Sequence, residues 1–333
     1  MVSAGPSPGG SRRTAAGGVA APAGSSPGRD ALAAPGVGER VDVALSRELE
    51  GLAHRAWPPL RARHVDGWML RESAGSSRRG NSVWARGDVS DLSFALDEVR
   101  RFYAAAGLRP TIQITPVSLP AGIHQALDAA GFDDTGPTDV CTADLADLAG
   151  RLAVAASVDA AASATAGVGA DRPPGVPGPG NTGSVRAGGA DTIMFDGIAD
   201  TWLDVAGRVL STFADQRTGT LKVLANLTVA AKYALCVADG VPVAVGRGVV
   251  DGDWLGVYSM ATVPAARGRG AARAVLAGLV TWAADAGASR AYLQVEQTSV
   301  AARRLYGALG FRPVYRYSYR RHHPADGPDV TGP

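Results

Sequence analysis

The chain has 333 residues, 46% of them hydrophobic, which is enough for more than one folded core. Its formal net charge is only +2, so no strong field draws the whole protein to nucleic acid or to an anionic membrane. The two cysteines are far apart and the five histidines lack the spacing of a metal site, so neither a disulfide framework nor a bound metal is expected.

The N-terminal segment is almost wholly glycine, alanine, proline, serine and arginine. It has little to bury, so residues 1–42 are predicted to be a disordered tail. Arg12 and Arg13 are followed by small and polar residues instead of an apolar run, which argues against a signal peptide. No stretch of the sequence reaches the ~18 apolar residues that span a bilayer. A cytoplasmic protein without a membrane partner is therefore expected.

Residues 43–150 carry the first set of periodic elements. Their apolar spacing predicts two short strands, a helix, a strand, a helix and a strand, at 68–72, 82–86, 92–103, 111–115, 123–130 and 139–143. The next segment, 151–190, is rich in proline, glycine and alanine, and it is predicted to be a linker between two folded domains.

Residues 191–322 carry the clearer pattern, and a short tail, 323–333, follows them. The predicted order is a helix, three antiparallel strands, a helix, a strand, a helix and a strand, at 198–210, 233–237, 241–249, 254–263, 270–286, 291–296, 300–309 and 313–319. Asp239-Gly240 is predicted to form the turn of a hairpin. Because a helix connects the third and fourth strands, those strands are expected to be parallel neighbours.

The two folded segments share the second half of this order, which indicates an internal duplication. The matching positions are Ala106-Gly107 with Ala286-Gly287, Ile112-Gln113-Ile114 with Leu293-Gln294-Val295, and Ala129-Ala130-Gly131-Phe132 with Ala308-Leu309-Gly310-Phe311.

The strongest chemical signal is the turn Arg267-Gly268-Arg269-Gly270, between a predicted strand and a predicted helix. A helix N-terminus offers free backbone N–H groups and partial positive charge, which favour phosphate oxygens. The two glycines let a phosphate approach the main chain because they have no Cβ. The arginines of the turn, together with Arg273, would oppose the helix dipole without a bound anion. The turn is therefore predicted to bind a phosphate ligand.

Two common phosphate motifs do not fit this turn. A mononucleotide loop ends in Gly-Lys-Ser/Thr, and the turn has neither the lysine nor the hydroxyl. The dinucleotide fingerprint needs a third glycine and a preceding parallel unit. The segment from Arg267 to Ala272 instead resembles the Arg/Gln-x-x-Gly-x-Gly/Ala pyrophosphate motif of the GNAT acetyltransferases. Residues 302–311 resemble that family's other hallmark segment.

The resemblance to the GNAT family implies an α+β fold with a mixed, mostly antiparallel central sheet flanked by helices, duplicated here with a degenerate first copy. It also implies transfer of an acetyl group from acetyl-CoA to a primary amine by direct attack in a ternary complex. The residues implied to contact acetyl-CoA are Ala261, Thr262, Val263, Arg267, Gly268, Arg269, Gly270, Ala271, Ala272, Arg273 and Ser299.

The same resemblance implies roles for the strands beside the turn. The strand that ends at Val263 should splay from the strand at Leu293, and main-chain N–H groups of residues 261–263 would polarise the thioester carbonyl. Tyr306 stands at the position of the family's proton donor and would protonate the departing thiolate. A tyrosine that covers the core is the alternative interpretation of that position.

Two further positions are less sharply defined by the sequence. Glu296 is expected on the same strand face as Gln294, opposite Leu293 and Val295, and is a candidate general base. A solvated carboxylate at a strand end is an equal interpretation of Glu296. Ser299 stands where the family commonly has asparagine, and it is expected to cap the following helix.

The first copy lacks the same chemistry. Ser90 takes the place of the second loop glycine, with Asp88 and Asp91 beside it, and these carboxylates would repel pyrophosphate. Leu127 takes the place of the tyrosine. The first copy is therefore predicted neither to bind acetyl-CoA in the usual way nor to catalyse.

The sequence leaves the acceptor open between small-molecule amines and protein amines, and it leaves a homodimer open. Residues 199–227 are expected to build much of the acceptor pocket. Arg78, Arg79 and Trp68 are candidates for the acceptor site or an interface, with solvated-loop and core roles as the alternative.

Two other functions compete with catalysis. A non-catalytic acyl-CoA sensor would need only the phosphate turn. A basic module that grips nucleic acid or acidic protein would use Arg303, Arg304, Arg316, Arg320 and Arg321, but the near-neutral net charge disfavours it.

Overall fold

The computed structural model of the chain describes residues 41–165, 184–187 and 190–323. The predicted N-terminal tail lies outside the described residues except for its last two positions, and the C-terminal tail lies outside them beyond its first residue. All of the described residues belong to one compact unit.

The first half of the chain forms the elements α1 (Val43–Arg55), β1 (Arg61–Val65), β2 (Trp68–Glu72), β3 (Val83–Ala85), α2 (Leu92–Ala105), β4 (Thr111–Ile114), α3 (Ile123–Ala129), β5 (Phe132–Asp144) and α4 (Leu145–Thr165). The second half forms β6 (Ser184–Ala187), β7 (Ala190–Phe195), α5 (Asp200–Gly207), α6 (Ser211–Ala214), α7 (Arg217–Ala225), β8 (Ala230–Ala238), β9 (Val241–Asp251), β10 (Trp254–Thr262), α8 (Ala271–Asp285), β11 (Arg290–Glu296), α9 (Val300–Ala308) and β12 (Arg312–His322).

The strands form a single twelve-stranded sheet in the order β1-β2-β3-β4-β12-β5-β11-β10-β9-β8-β7-β6. Two neighbouring pairs are parallel, β3 with β4 and β10 with β11, and the remaining pairs are antiparallel. The expected mixed, mostly antiparallel sheet flanked by helices is confirmed. The expected parallel pairing on either side of the long second-half helix is confirmed as well.

The sheet order shows that the two halves exchange their last strands. β5, the last strand of the first half, pairs with β11 of the second half, while β12 pairs with β4 of the first. β5 and β12 then pair with each other along most of their length at the centre of the sheet. The strands of the two halves therefore form one interlocked sheet.

The internal duplication predicted from the sequence is present in the topology. In each half a helix connects two parallel strands, α2 between β3 and β4 and α8 between β10 and β11. Both helices end in a left-handed glycine, Gly107 with φ 66° and Gly287 with φ 89°. The matched aromatic residues Phe132 and Phe311 are both buried.

Helices cover both faces of the second-half strands. Leu293 and Val295 of β11 pack in a core with α4, α8 and α9. Tyr292, on the opposite face, packs with Leu49 and Leu52 of α1. The short helices α5–α7 cover the β8–β10 region with a core around Trp202. Because α1 and α4 come from the first half, that half supplies packing surface to both faces of the second.

The sequence-based boundaries need one clear correction. The linker expected over 151–190 is wrong at both ends, because α4 is helical from Leu145 to Thr165 and β6 (Ser184–Ala187) is a strand of the sheet, while 166–183 and 188–189 lie outside the described residues. The apolar residues Leu145, Leu148 and Leu152 of α4 are buried against the second half. The elements α1, β1, β6, β7, α6 and α7 were not predicted, and the strand predicted at 139–143 is much shorter than β5.

Candidate active site

A gap opens between β10 and β11. Their parallel pairing runs only from Trp254 and Arg290 to Val257 and Leu293, although both strands continue beyond it. At this point β10 has an irregular register with β9, and Ser259 adopts a left-handed φ of 50°. The expected separation of the two strands is thus present as a loss of pairing after Leu293.

The direction of the main-chain N–H groups corrects the predicted set of carbonyl donors. Val263 donates its N–H to the carbonyl of Val243 at 2.9 Å, so it is already bound within the sheet. In an antiparallel pair every second residue donates its N–H to the partner strand. Ala261 lies two residues before Val263, so its N–H also points toward β9. Thr262 is the one of the three whose N–H points away from β9, toward the side of the gap.

The predicted phosphate turn leads from the end of β10 into α8. Gly268 and Gly270 both have positive φ, 76° and 83°, so the turn itself requires glycine. Gly270 is the N-cap of α8, and no side chain of the helix caps it. The first N–H groups of α8, from Ala271 to Arg273, are therefore without an intrahelical partner.

The arginines around this turn differ in their surroundings. Arg267 and Arg269 are exposed, and the Nε of Arg267 donates to the carbonyl of Thr262 at 3.2 Å. Arg273 pairs with Asp159 of α4, with Nη2 at 2.7 and 2.5 Å from the two carboxylate oxygens. A Cβ built on Gly270 would lie 2.9 Å from Oδ2 of Asp159. A carboxylate of the first half therefore lies at the predicted phosphate position.

Tyr306 lies in the apolar core between the sheet and α9. Its ring packs edge-on against Phe311, with the centroids 5.7 Å apart, and the side chain is buried. Burial raises the pKa of the phenol, and the nearby Cys141 thiol adds to the shift. Tyr306 is thus a protonated phenol on the same sheet face as Leu293 and Val295.

Glu296 lies on the other face, as expected from the alternation along β11. It belongs to the stretch that β10 no longer pairs, and it forms an ion pair with Arg78 of the first half. Both side chains are nearly half exposed. The predicted donor and the candidate base therefore lie on opposite sides of the sheet, with the gap between them.

A cavity of about 500 Å³ lies on the face that carries Glu296. Its walls come from both halves of the chain: residues 75–79, Thr138, four residues between 211 and 216, and strand residues of β11 and β12. The sequence-based proposal that residues 199–227 contribute to a pocket agrees with this lining. Of the three first-half candidates, Arg78 and Arg79 line the cavity, whereas Trp68 is fully buried in the first-half core.

A buried polar network lies behind this cavity. Glu50 of α1 accepts hydrogen bonds from Arg79 Nη1 at 3.0 Å, Gln113 Nε2 at 2.9 Å and Tyr315 at 2.7 Å. Burial would raise the pKa of Glu50, but the charge and hydrogen bond of Arg79, helped by Tyr315, hold it below its usual value. Glu50 is therefore a buried carboxylate that fixes one edge of the Arg79 guanidinium.

The expected cap of α9 is absent, and three of the five arginines of the disfavoured basic module form ion pairs. Ser299 occupies the N-cap of α9, but its hydroxyl makes no capping hydrogen bond. Arg303 and Arg316 both pair with the buried carboxylate of Asp139. Arg320 is largely buried and bonded to Asp128 and to a main-chain carbonyl. These arginines serve the structure of the sheet instead of forming a free basic surface.

The corresponding helix start in the first half is built differently. Asp91 caps α2 by accepting the N–H of Phe94 at 3.0 Å. Ser90 donates its N–H and its hydroxyl to Asp66, at 2.9 and 2.7 Å. Leu127 is fully buried in the first-half core.

The approach of Asp159 to the phosphate turn, and the role of α4 in holding it there, were not predicted from the sequence. The segment around Asp159 is rich in alanine, which made it resemble a linker. The apolar residues Leu145, Leu148 and Leu152 recur at helical spacing and were the available signal. No feature of the sequence pointed to the exchange of β5 and β12.

The chain is similar in sequence and in fold to known proteins. The family model described as the C-terminal part of the probable histone acetyltransferase Rv0428c matches residues 44–169 and 196–320, about three quarters of the chain. The match covers both halves, including α4 and the phosphate turn.

Individual relatives and solved structures are more distant. The uncharacterized N-acetyltransferase YobR of Bacillus subtilis is 25% identical over 276 residues, which cover 82% of this chain and 97% of YobR. The probable histone acetyltransferase Rv0428c of Mycobacterium tuberculosis is 32% identical over 80 residues, 24% of this chain and 26% of that protein. The fold resembles a GCN5-related N-acetyltransferase from Kribbella flavida with a TM-score of 0.54 at 16% identity, covering 85% of this chain and 96% of the other.

Proposed function

Because the chain belongs to the family of the Rv0428c C-terminal acetyltransferase region and has the GNAT fold, we propose that it transfers the acetyl group of acetyl-CoA directly to a primary amine. The single observation that carries the proposal is the end of β10. There the strand loses its pairing with β11 and leads into a helix whose N-terminus has no side-chain cap of its own.

The phosphate turn fits the diphosphate of coenzyme A. The free N–H groups of residues 271–273 and the helix dipole favour an anion at this point. Arg267 and Arg269 add positive charge from exposed positions. The carboxylate of Asp159 has to leave Arg273 when a diphosphate binds, since both would take the same donors.

The gap between β10 and β11 provides a route for the thioester from the phosphate turn to the face that carries Glu296. The N–H of Thr262 would polarise the thioester carbonyl, and the amine nitrogen attacks its carbon. A C–N bond forms and the C–S bond breaks. The substrate ammonium first loses its proton toward Glu296, directly or through water, and Tyr306 gives a proton to the departing thiolate.

The burial of Tyr306 keeps the proton of the phenol in place. Its raised pKa keeps the phenol protonated across the range in which enzymes are assayed. The loss of its proton therefore does not limit activity at alkaline pH. A rise in rate with pH would report the deprotonation of the amine instead.

A non-catalytic acyl-CoA sensor remains the second candidate. It would use the phosphate turn without the acceptor cavity. The cavity beside the stretch of β11 that β10 no longer pairs is the observation that favours the enzyme over the sensor.

The test follows the release of free CoA thiol from acetyl-CoA by the purified chain, with a panel of small amines, peptides with free lysine and peptides with a free N-terminus. The proposal expects amine-dependent release that falls when Tyr306 is replaced by phenylalanine. Tight acetyl-CoA binding without amine-dependent release from any acceptor would favour the sensor.

A further inference from the structure

The cavity beside Glu296 contains buried hydrogen-bond donors that the described protein does not satisfy. Among the described residues, Nε and Nη2 of Arg79, Nε2 of Gln294 and the hydroxyl of Ser76 are buried without a partner. All three residues line the cavity. Since native proteins rarely leave buried donors unpaired, several such donors around one cavity indicate the position of a ligand that accepts hydrogen bonds.

Arg79 is the central donor of this group. Its side chain is 8% exposed, and Nη1 is held by the Glu50 carboxylate at 3.0 Å. The guanidinium lies over the ring of Tyr317, 5.0 Å from the centroid, and that ring also lines the cavity. Arg79 is therefore fixed on two sides, while its Nε and Nη2 are buried without a partner among the described residues.

The charges behind the cavity do not balance. Arg71 and Arg79 are both buried, and Glu50 is the buried carboxylate that faces them. Arg71 donates only to the neutral groups of Ser82 and Gln113. This network therefore carries one excess positive charge, and a buried charge is costly unless a partner of opposite sign compensates it.

The negative groups of the cavity occupy its more exposed parts. Glu296 and Asp215 line it and are both exposed, whereas Arg79 and Gln294 form its more buried wall. The cavity thus offers positive and hydrogen-bond-donating groups in its interior and carboxylates toward solvent, where Arg78 also lines it and pairs with Glu296. A substrate ammonium that reaches Glu296 therefore takes the place of Arg78. A zwitterion matches this distribution of charge.

We infer that the acceptor is a small amine that also carries a carboxylate, of the amino-acid type, and that Arg79, Gln294 and Ser76 of this cavity bind the carboxylate. The inference rests on the proposed acetyl transfer and identifies its substrate class. The first half of the chain, which has lost the acetyl-CoA turn, then supplies the arginine that selects the acceptor for the second half.

The experiment uses the full chain and a series of straight-chain amino acids of increasing length, each paired with the alkylamine of the same length. Initial rates give kcat/KM with acetyl-CoA. Calorimetry measures the binding of each compound in the absence of acetyl-CoA. We expect one length of amino acid to exceed its matched alkylamine by about 10- to 100-fold in kcat/KM and in affinity, as expected for hydrogen bonds to a charged group.

Two substitutions separate recognition from stability. Arg79→Lys keeps the charge beside Glu50 but loses the planar pair of donors, and it should reduce the preference for the amino acid about tenfold, mainly through KM. Gln294→Leu removes a donor without changing the buried charges, and it should reduce the preference for the amino acid several-fold. Gln297→Leu, three positions further along and outside the cavity lining, is the matched control and should leave the preference unchanged.

The outcomes distinguish the two proposals. Carboxylate-dependent binding without turnover of any amine would support the cavity assignment and overturn the acetyl transfer. Turnover without a preference for the amino acid, or a preference that survives both Arg79→Lys and Gln294→Leu, would overturn the cavity assignment alone. Higher kcat/KM for lysine-containing peptides than for every free amino acid would overturn it as well.

Discussion

The two copies of the fold differ most clearly at the start of their crossover helices. In the first copy α2 is capped by its own Asp91, which accepts a main-chain N–H at 3.0 Å. In the second copy α8 begins at a left-handed Gly270 without a side-chain cap, and Arg273 takes a carboxylate from α4. The start of the helix is therefore capped by its own residue in one copy, whereas in the other it has no side-chain cap and lies beside a carboxylate of a distant helix.

The two copies thus show two ways in which the N-terminus of the same helix can be stabilised. A helix that carries its own carboxylate needs no ligand and gains a stable N-terminus. A helix that lacks it can bind a phosphate when one is present. The first copy has kept the fold and contributes buried packing, one strand of the shared centre and one wall of the cavity.

The largest effect should come from blocking the phosphate turn. Gly270→Glu places a carboxylate where the diphosphate would lie, and like charges at one site cost several kcal/mol, so acetyl-CoA affinity should fall about 1000-fold. Ser90→Glu, the same change at the matched position of the first copy, should leave the affinity unchanged. Calorimetry of both variants tests the comparison.

A control is needed because Gly270 has a φ of 83°, which strains any other residue. Arg269→Glu lies on the exposed turn and avoids this strain. It should weaken binding at least tenfold without changing thermal stability. Unchanged acetyl-CoA affinity in both Gly270→Glu and Arg269→Glu would show that the diphosphate does not bind at the start of α8.

The matched positions Tyr306 and Leu127 provide the next effect. Tyr306→Phe removes the proton donor, and turnover should fall about 100-fold while the affinity for acetyl-CoA changes less than twofold. Steady-state kinetics and calorimetry separate the two quantities. A substitution at the matched position of the first copy, Leu127→Ala, should instead destabilise the chain by about 3 kcal/mol because Leu127 is fully buried. Full activity of Tyr306→Phe would reduce that residue to a packing role.

Removing the cap of α2 should have a smaller effect. Asp91→Ala leaves the N–H of Phe94 without its acceptor, so the free energy of unfolding should fall by about 1 kcal/mol. Acetyl-CoA affinity should not change. Chemical denaturation measures the first quantity and calorimetry the second. A gain of acetyl-CoA binding at α2 in this variant would mean that Asp91 alone keeps the first copy from binding acetyl-CoA.

The smallest expected effect concerns the carboxylate that reaches the phosphate turn. Asp159→Asn removes a negative charge that competes with the diphosphate for Arg273. The ion pair is partly exposed, so the gain in acetyl-CoA affinity should be only about two- to fivefold. The gain should shrink as salt is raised. A loss of affinity would indicate that Asp159 supports the turn instead of competing for it.

Local patterns in the sequence predicted the parts of this structure that depend on local chemistry. The hairpin at Asp239-Gly240 has both residues at positive φ, as the turn type requires. The stripe of α8 and the glycine that ends it could be predicted because periodicity and backbone strain act within a few residues. The strand faces of Gln294 and Glu296 followed from simple alternation.

The features that the sequence could not predict depend on distant partners. Nothing in β5 or β12 specifies that they exchange, because both orders would satisfy the same local pattern. The buried charge of Arg79 is compensated by Glu50, which is 29 residues away in α1. Similarly, Val263 could not be excluded as a carbonyl donor until its pairing with Val243 was known.

A crystal structure of the chain with bound coenzyme A tests the central claim most directly. The account predicts diphosphate oxygens about 3 Å from the N–H groups at the start of α8, with Asp159 displaced from Arg273 and Asp91 still capping α2. A diphosphate bound elsewhere, while Asp159 still covers the turn, would contradict it.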